Sequence, residues 1–123
     1  MNLSLQIIAR LDSATLKGLS EADFHNAVAA YAKSEGWTCF SIRKTGMMGS
    51  DGKWRGMADA GFPDVIACRA GKLLALELKS ETGRASPEQT EWLALLAAVP
   101  GVTARLARPR DAAELMKMME GRR

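Results

Sequence analysis

Apolar residues at helical spacing predict a first helix from about residue 20 to residue 35. Ser20 is a favourable N-cap, and Phe24 and Val28 recur on one face of the helix that follows it. Gly36 ends this pattern, and residues 37–43 then alternate between polar and apolar as a strand does.

Two apolar, β-compatible runs in the middle of the chain predict a β-hairpin. The first run is Phe62–Arg69 (FPDVIACR) and the second is Leu73–Ser80 (LLALELKS). The short Ala70–Lys72 segment between them is the natural turn.

The length of that turn decides which side chains of the hairpin oppose one another. A two-residue loop at 70–71 sets Asp64 opposite Glu77. A loop at 71–72 sets Asp64 opposite Lys79 instead, although all three side chains still project from one side. A three-residue loop turns Asp64 to the other face unless a bulge restores it.

The rest of the pattern predicts one more strand and two more helices. Ser86, Pro87 and Gln89 form a capping box that opens a helix, and the helical spacing also turns Gln89 toward the sheet. A strand is expected at Val102–Ala107 and a last helix at Asp111–Glu120.

These elements give the order α-β-β-β-α-β-α after an N-terminal segment. The order predicts an α/β fold in which a mixed four-stranded sheet is flanked by helices. The first three strands meander, and a right-handed crossover helix leads to the fourth. We assign residues 20–120 to one domain. The apolar segment 1–19 has no clear partner, so it is expected either to cover the sheet or to join two subunits.

Asp64, Glu77 and Lys79 suggest a chemistry for the hairpin. Two carboxylates opposed across a hairpin repel each other, and a hard cation removes the conflict. Mg²⁺ is usually held by one or two carboxylates plus phosphate and water, so Asp64, Glu77 and the Leu78 carbonyl are candidate ligands. Lys79 would orient or deprotonate the attacking water, or neutralise charge on phosphorus. The alternative is a solvated ion-pair ladder.

A glycine-rich segment, residues 45–61, precedes the hairpin and is expected to be a DNA-contacting loop. Cations crowd around it, and its tryptophan is a candidate for stacking on an exposed base. The candidate DNA contacts are Arg43, Lys44, Lys53, Trp54 and Arg55, together with Arg84 in the turn after the second hairpin strand. The alternative is a loop with no ligand.

Taken together, the motifs resemble a known nuclease family. The runs G-F-P-D-V-I and L-E-L-K-S-E-T-G-R-A-S-P-E-Q-T-E-W-L, with S-E-A-D-F-H and G-W-T-C-F-S-I-R upstream, are similar to the virus-type replication-repair nuclease (VRR-NUC) domain of the PD-(D/E)xK superfamily. The resemblance spans about residues 20–118. It implies a Mg²⁺-dependent nuclease, with Mn²⁺ as a substitute, that acts on branched or flapped DNA. Stand-alone members are commonly homodimers similar to Holliday-junction resolvases.

The resemblance also implies roles for individual side chains. By position, Asp64 and Glu77 are metal ligands, Lys79 is the catalytic lysine, Gln89 is the glutamine of the following helix, and Glu21 is the acid of the first helix. His25 departs from the pattern, because the family often has glutamine there; we expect it to be a hydrogen-bonded partner or a DNA contact rather than a ligand.

Composition fits one soluble enzyme domain. The chain has 123 residues, of which 47% are apolar and 25% charged, and its net charge of +3 is too small to diagnose nucleic-acid binding by itself. Cys39 and Cys68 lie in different predicted strands, and we expect buried free thiols. No apolar run is long enough to span a bilayer and the N-terminus lacks the charged region of a signal peptide, so we expect a cytoplasmic protein.

The expected function is therefore a metal-dependent DNA endonuclease that prefers branched substrates. A second possibility is a less selective nicking or restriction-type nuclease that acts on duplex DNA. A third, from a different class, is a non-catalytic DNA-binding module on the same fold. The intact Asp64, Glu77 and Lys79 count against this third possibility.

Overall fold

A computed structural model describes residues 3–42, 46–48, 50, 54–56 and 61–121, with the backbone alone described in 46–48 and 54–56. The helices are α1 (Leu5–Ile8), α2 (Ser13–Lys17), α3 (Glu21–Ser34), α4 (Pro87–Ala97) and α5 (Ala112–Met119), with a 3-10 turn at Pro109–Asp111. The strands are β1 (Thr38–Ser41), β2 (Gly46–Met48), β3 (Trp54–Gly56), β4 (Val65–Arg69), β5 (Lys72–Leu78) and β6 (Val102–Ala107).

The main sheet has four strands in the order β1-β4-β5-β6. β1 and β4 are antiparallel, β4 and β5 are antiparallel, and β5 and β6 are parallel, with α4 connecting the parallel pair. The predicted mixed four-stranded sheet flanked by helices is confirmed, but the order of elements along the chain differs from the predicted one, because β2 and β3 lie between β1 and β4.

The glycine-rich segment contains secondary structure that the sequence did not predict. β2 and β3 form a separate two-stranded antiparallel sheet, where a loop was expected. Each strand has only three residues, which is too short for an alternating pattern to be recognised among glycines.

The β4–β5 hairpin has the register that a two-residue turn predicts. Arg69 pairs with Lys72 across the turn. Ala70 has φ of 50° and Gly71 has φ of 79°, and two positive φ values in succession are the signature of a type I′ turn. Ala70 is an unusual residue at this position, because L-residues with a side chain are disfavoured in left-handed backbone.

The predicted helix starts agree with the capping contacts. The Ser20 hydroxyl accepts a hydrogen bond from the Asp23 amide at 3.0 Å, and Gly36, with φ of 90°, follows the end of α3. The capping box at the start of α4 is present with both of its hydrogen bonds. α5 begins at Ala112 because the 3-10 turn occupies the residues just before it.

The N-terminal segment packs inside the same chain. Leu5 and Ile8 are each 1% exposed, and α1 contacts both α3 and α5. The main core therefore lies between these helices and one face of the sheet, where Val65 and Leu76 are also buried. In the described part of the N-terminal segment, α1 thus packs on the helices behind the sheet. The buried Leu5 and Ile8 leave no role for these two residues in a subunit contact.

The other face of the sheet is only partly covered. α4 contacts β5 and β6, yet none of its own side chains is fully buried. Cys39 is half-buried and Cys68 is exposed, and both are free thiols. The expectation that both thiols are buried is wrong for Cys68, because its place on β4 directs it to this open face.

Within the described ranges, the longest helix is α3 at 14 residues, and none is both long and apolar enough to cross a membrane.

Replacing Ala70 with asparagine should stabilise the fold by about 1 kcal/mol, because Asn-Gly suits a type I′ turn while alanine is strained there. Urea unfolding gives the change in free energy. Ala70→Val is the control at the same position and should destabilise, because a β-branched residue tolerates left-handed backbone least. A gain in stability from valine would show that backbone strain does not operate at this turn.

Candidate active site

Asp64 and Glu77 lie side by side at one end of the sheet. Continuing the antiparallel pairing past Val65 and Leu76 sets Asp64 opposite Glu77, as the two-residue turn predicts. Asp64 is 7% exposed and Glu77 is 0% exposed. The Leu78 amide donates to Asp64 Oδ2 at 3.1 Å, which fixes the carboxylate against the end of β5. The fold therefore buries two acidic side chains together.

The segment that leads into Asp64 is held against α4. Gly61 has φ of 85°, and a Cβ built on it would lie 2.6 Å from Glu88 Cβ, so only glycine allows this close approach. The Phe62 ring meets the Trp92 ring edge to face, with centroids 4.9 Å apart. Pro63 is fully buried. These contacts place Asp64 relative to the first turn of α4, where Gln89 lies.

Gln89 joins the helix cap to the acidic pair. Its Oε1 accepts from the Ser86 amide at 2.8 Å, and its Nε2 donates to Glu77 Oε2 at 2.8 Å. Since the cap requires the amide oxygen on one side, the amide nitrogen must face Glu77. The structure thus contains both roles that the sequence predicts for Gln89, the cap and the inward contact.

Lys79 supplies the positive charge. Its Nζ lies 3.3 Å from Glu77 Oε2, and its side chain is 12% exposed. Glu77 Oε2 therefore receives two donors, whereas Glu77 Oε1 is buried with no hydrogen-bond partner among the described residues. A buried carboxylate oxygen without a partner is costly, so this atom marks a position where a ligand would be favourable.

The electrostatics of the pair favour a cation. Burial, and after it the neighbouring Asp64 carboxylate, raise the pKa of Glu77, and with the Lys79 ammonium partly opposing them the net result is a pKa of about 7. Holding both acids ionised at neutral pH is therefore unfavourable without added positive charge.

The residues present fit a divalent cation such as Mg²⁺. The unpartnered Glu77 Oε1 and the adjacent Asp64 provide carboxylate oxygens. Within the described ranges, no group of three or more His, Cys, Asp and Glu side chains forms a metal cage. Mg²⁺ needs no such cage, because it keeps several waters and completes its shell with substrate phosphate.

Leu78 and Glu21 are the other two predicted residues of the metal site. Leu78 contacts Asp64 through its amide, and the expected role of its carbonyl as a metal ligand stays a prediction. Glu21 begins α3 and is half-buried, but it does not form a three-acid group with Asp64 and Glu77. Its expected role as an outer acid stays a prediction.

His25 belongs to the opposite side of the sheet. Its Nε2 lies 3.0 Å from Ser41 Oγ, and the imidazole is 3% exposed. Ser41 pairs with Val65, whose side chain is in the main core, so His25 lies on the α3 side rather than on the α4 side with Glu77. It is a hydrogen-bonded partner, as expected, and is not placed to act as a ligand.

Most of the predicted DNA contacts fall outside the part of the chain that is described. Arg43, Lys44 and Lys53 are outside the described residues, and of Trp54 and Arg55 only the β3 backbone is described. Arg84 is described, and it is exposed in the loop that follows Lys79.

Phe40 is an exposed aromatic residue that the sequence reasoning did not single out. It is 54% exposed and pairs with Ile66 on the neighbouring strand. Since side chains alternate along a strand, Phe40, Ile66 and Asp64 project from the same face. The sequence gives no clear signal for it, because apolar residues occur on both sides of the strand pattern in 37–43.

Comparison of the chain with protein-family models, with curated proteins and with solved structures finds no match in any of the three. The VRR-NUC resemblance therefore stays a prediction from the motifs.

The raised pKa of Glu77 should make the metal-free protein less stable as pH rises. The group titrates near 4.5 when unfolded and near 7 when folded, so the folded state binds more protons between these values. This contribution to stability is complete below about pH 4.5 and is lost by about pH 7, a change of up to about 3 kcal/mol. Glu77→Gln cannot titrate and should lack this loss.

Urea unfolding in EDTA from pH 5 to pH 8 measures this difference between parent and variant. The free energy of unfolding of Glu77→Gln should increase relative to that of the parent as pH rises. Glu91→Gln, which removes an exposed acid on α4, is the control and should follow the parent. A parallel pH dependence in the parent and Glu77→Gln would show that Glu77 ionises normally.

Proposed function

We propose that this protein is a metal-dependent endonuclease that hydrolyses phosphodiester bonds in branched DNA. The observation that carries the proposal is the buried Asp64–Glu77 pair, with an unpartnered carboxylate oxygen and with Lys79 beside it. A protein with no use for such a pair would gain by replacing one of the acids.

Each side chain of the site has a distinct task in this proposal. Asp64 and Glu77 would hold Mg²⁺ or Mn²⁺, with Asp64 fixed by the Leu78 amide. Gln89 keeps Glu77 in one orientation through its 2.8 Å hydrogen bond. A bound divalent cation would supply Lewis-acid polarisation of the phosphate and a lowered pKa for water.

Lys79 is the residue closest to a direct chemical role. Its ammonium lies 3.3 Å from Glu77 and is held at the end of β5, where negative charge would develop on a bound phosphate. It can orient the attacking water by hydrogen bonding, or stabilise the charge that accumulates on the phosphoryl oxygens. No covalent nucleophile is needed.

The sheet face around the pair is suited to nucleic acid. Arg84 is an exposed cation close along the chain to Lys79, and Phe40 offers an exposed ring on the face that carries Asp64. The preference for branched DNA, the homodimeric state and action in the cytoplasm rest on the sequence and its family resemblance. The two alternatives are a general duplex-nicking enzyme and a DNA-binding module without catalysis.

The protein should cut labelled four-way junction and flap DNA in Mg²⁺ or Mn²⁺ and should be inactive in EDTA. Asp64→Asn, Glu77→Gln and Lys79→Ala should each lower the rate at least about a hundredfold, which is about 2.7 kcal/mol of transition-state stabilisation. Gln89→Ala should have a smaller effect, because it acts through Glu77. Gel analysis of the products measures the rates.

Lys72→Ala is a matched control for Lys79→Ala, because Lys72 is an exposed lysine at the other end of the same strand. It should cut like the parent. Equal cutting of plain duplex would favour the general nicking enzyme. Tight binding of junctions without any cleavage would favour the DNA-binding module without catalysis.

Added Mg²⁺ should raise the melting temperature of the parent much more than that of Glu77→Gln. The cation binds the folded pair and relieves its repulsion, whereas the variant has lost one ligand. Thermal melts in EDTA and in a Mg²⁺ series measure the shift. Glu91→Gln is the control and should show the same rise in melting temperature as the parent. Equal stabilisation of the parent and Glu77→Gln would remove Glu77 from the metal site.

A further inference from the structure

Arg108 holds the loop that follows Lys79. Its Nη1 donates to the Ser80 carbonyl at 2.7 Å and to the Gly83 carbonyl at 2.6 Å, with the Glu81 carbonyl at 3.3 Å. Three carbonyls of one short loop thus converge on a single guanidinium nitrogen, and such charge-assisted hydrogen bonds are stronger than neutral ones.

The loop in turn lies on the side chain of Lys79. A Cβ built on Gly83 would lie 3.5 Å from Lys79 Cδ and 3.6 Å from Lys79 Cβ, so the Gly83 backbone covers the aliphatic stem of the lysine. The Gly83 amide also donates to Ser80 Oγ at 3.0 Å, which closes the loop on itself. With its stem covered, the Lys79 ammonium is directed to Glu77, 3.3 Å away.

We propose that Arg108 is a positioning residue for the nuclease reaction, because it clamps the 80–83 loop over Lys79 and so aims the Lys79 ammonium at the acidic pair. The inference rests on the proposed function for its catalytic consequence, but the clamp itself concerns only the folded protein.

The clamp requires arginine in particular. The three carbonyls meet Nη1, whose two N–H groups are held in the plane of a rigid guanidinium. A lysine ammonium is a compact point charge with no planar fork of donors. The Arg108 amide also donates to Asp111 Oδ2 at 2.8 Å, a backbone contact that any replacement except proline can keep. Arg108→Lys should therefore fold but clamp poorly.

Arg110 provides a matched control. It lies in the same connection between β6 and α5 and binds the same loop, but through the Glu81 carboxylate. Its amide donates to Glu81 Oε2 at 2.7 Å, and its Nε lies 3.7 Å from Glu81 Oε1. Its side chain is 60% exposed, so Arg110→Ala removes a cation from the loop without removing the contacts to the Ser80 and Gly83 carbonyls.

Limited acetylation with acetic anhydride, followed by mass spectrometry, tests the clamp in the metal-free protein. Lys79 should react several times faster in Arg108→Ala and Arg108→Lys than in the parent, because its stem is uncovered. The exposed Lys72 on the same strand is the internal reference, and Arg110→Ala should leave Lys79 unchanged. Unchanged Lys79 reactivity in folded Arg108→Lys would overturn the inference.

Cleavage kinetics then test the catalytic consequence. Arg108→Lys should lower kcat about tenfold to a hundredfold with KM for DNA unchanged, because a misplaced group costs rate rather than binding. A rise in KM at constant kcat would identify Arg108 as a DNA contact and overturn the positioning role. If the parent cuts no DNA, the proposed function fails, whereas the acetylation result still decides whether Arg108 positions Lys79.

Discussion

The repulsion between Asp64 and Glu77 is the interaction on which the site depends. Two carboxylates are buried side by side because a two-residue turn fixes the register of β4 and β5. A shift of one residue would turn one of them to the core face of the sheet. The short turn at 70–71 therefore determines the electrostatics at the far end of the hairpin.

The surrounding contacts hold this unfavourable arrangement in place without neutralising it completely. The Leu78 amide fixes Asp64, while Gln89 and Lys79 both reach the same oxygen of Glu77. The second Glu77 oxygen receives no donor among the described residues. A buried carboxylate with an unfilled hydrogen-bonding position favours cation binding. If the protein supplied donors to both oxygens, a metal would add little binding free energy.

The two faces of the sheet differ in how well they are covered. The face under α3 and α5 carries the core, including the N-terminal Leu5 and Ile8. The face under α4 is partly open, since α4 covers β5 and β6 while Phe40 and Cys68 stay exposed. The acidic pair lies on this partly open face, and α4 carries Gln89 to it although the helix is sparsely packed.

The sequence by itself determined the local features of this protein. Ser20 and Ser86 mark helix starts through their own hydroxyls, and the hairpin register follows from alternation and turn length, which are properties of neighbouring residues. Asp64, Glu77 and Lys79 could be placed on one face for the same reason. The β2–β3 pair was missed because three-residue strands among glycines give no periodic signal.

Only the tertiary structure decided how distant segments meet. The burial of Leu5 and Ile8 depends on α5, which lies about 100 residues further along the chain, and no local pattern encodes that contact. The same holds for Arg108, whose guanidinium meets the 80–83 loop only because β6 pairs in parallel with β5. Local periodicity reports which face a side chain occupies, whereas the partner on that face is set by packing between elements that are far apart in sequence.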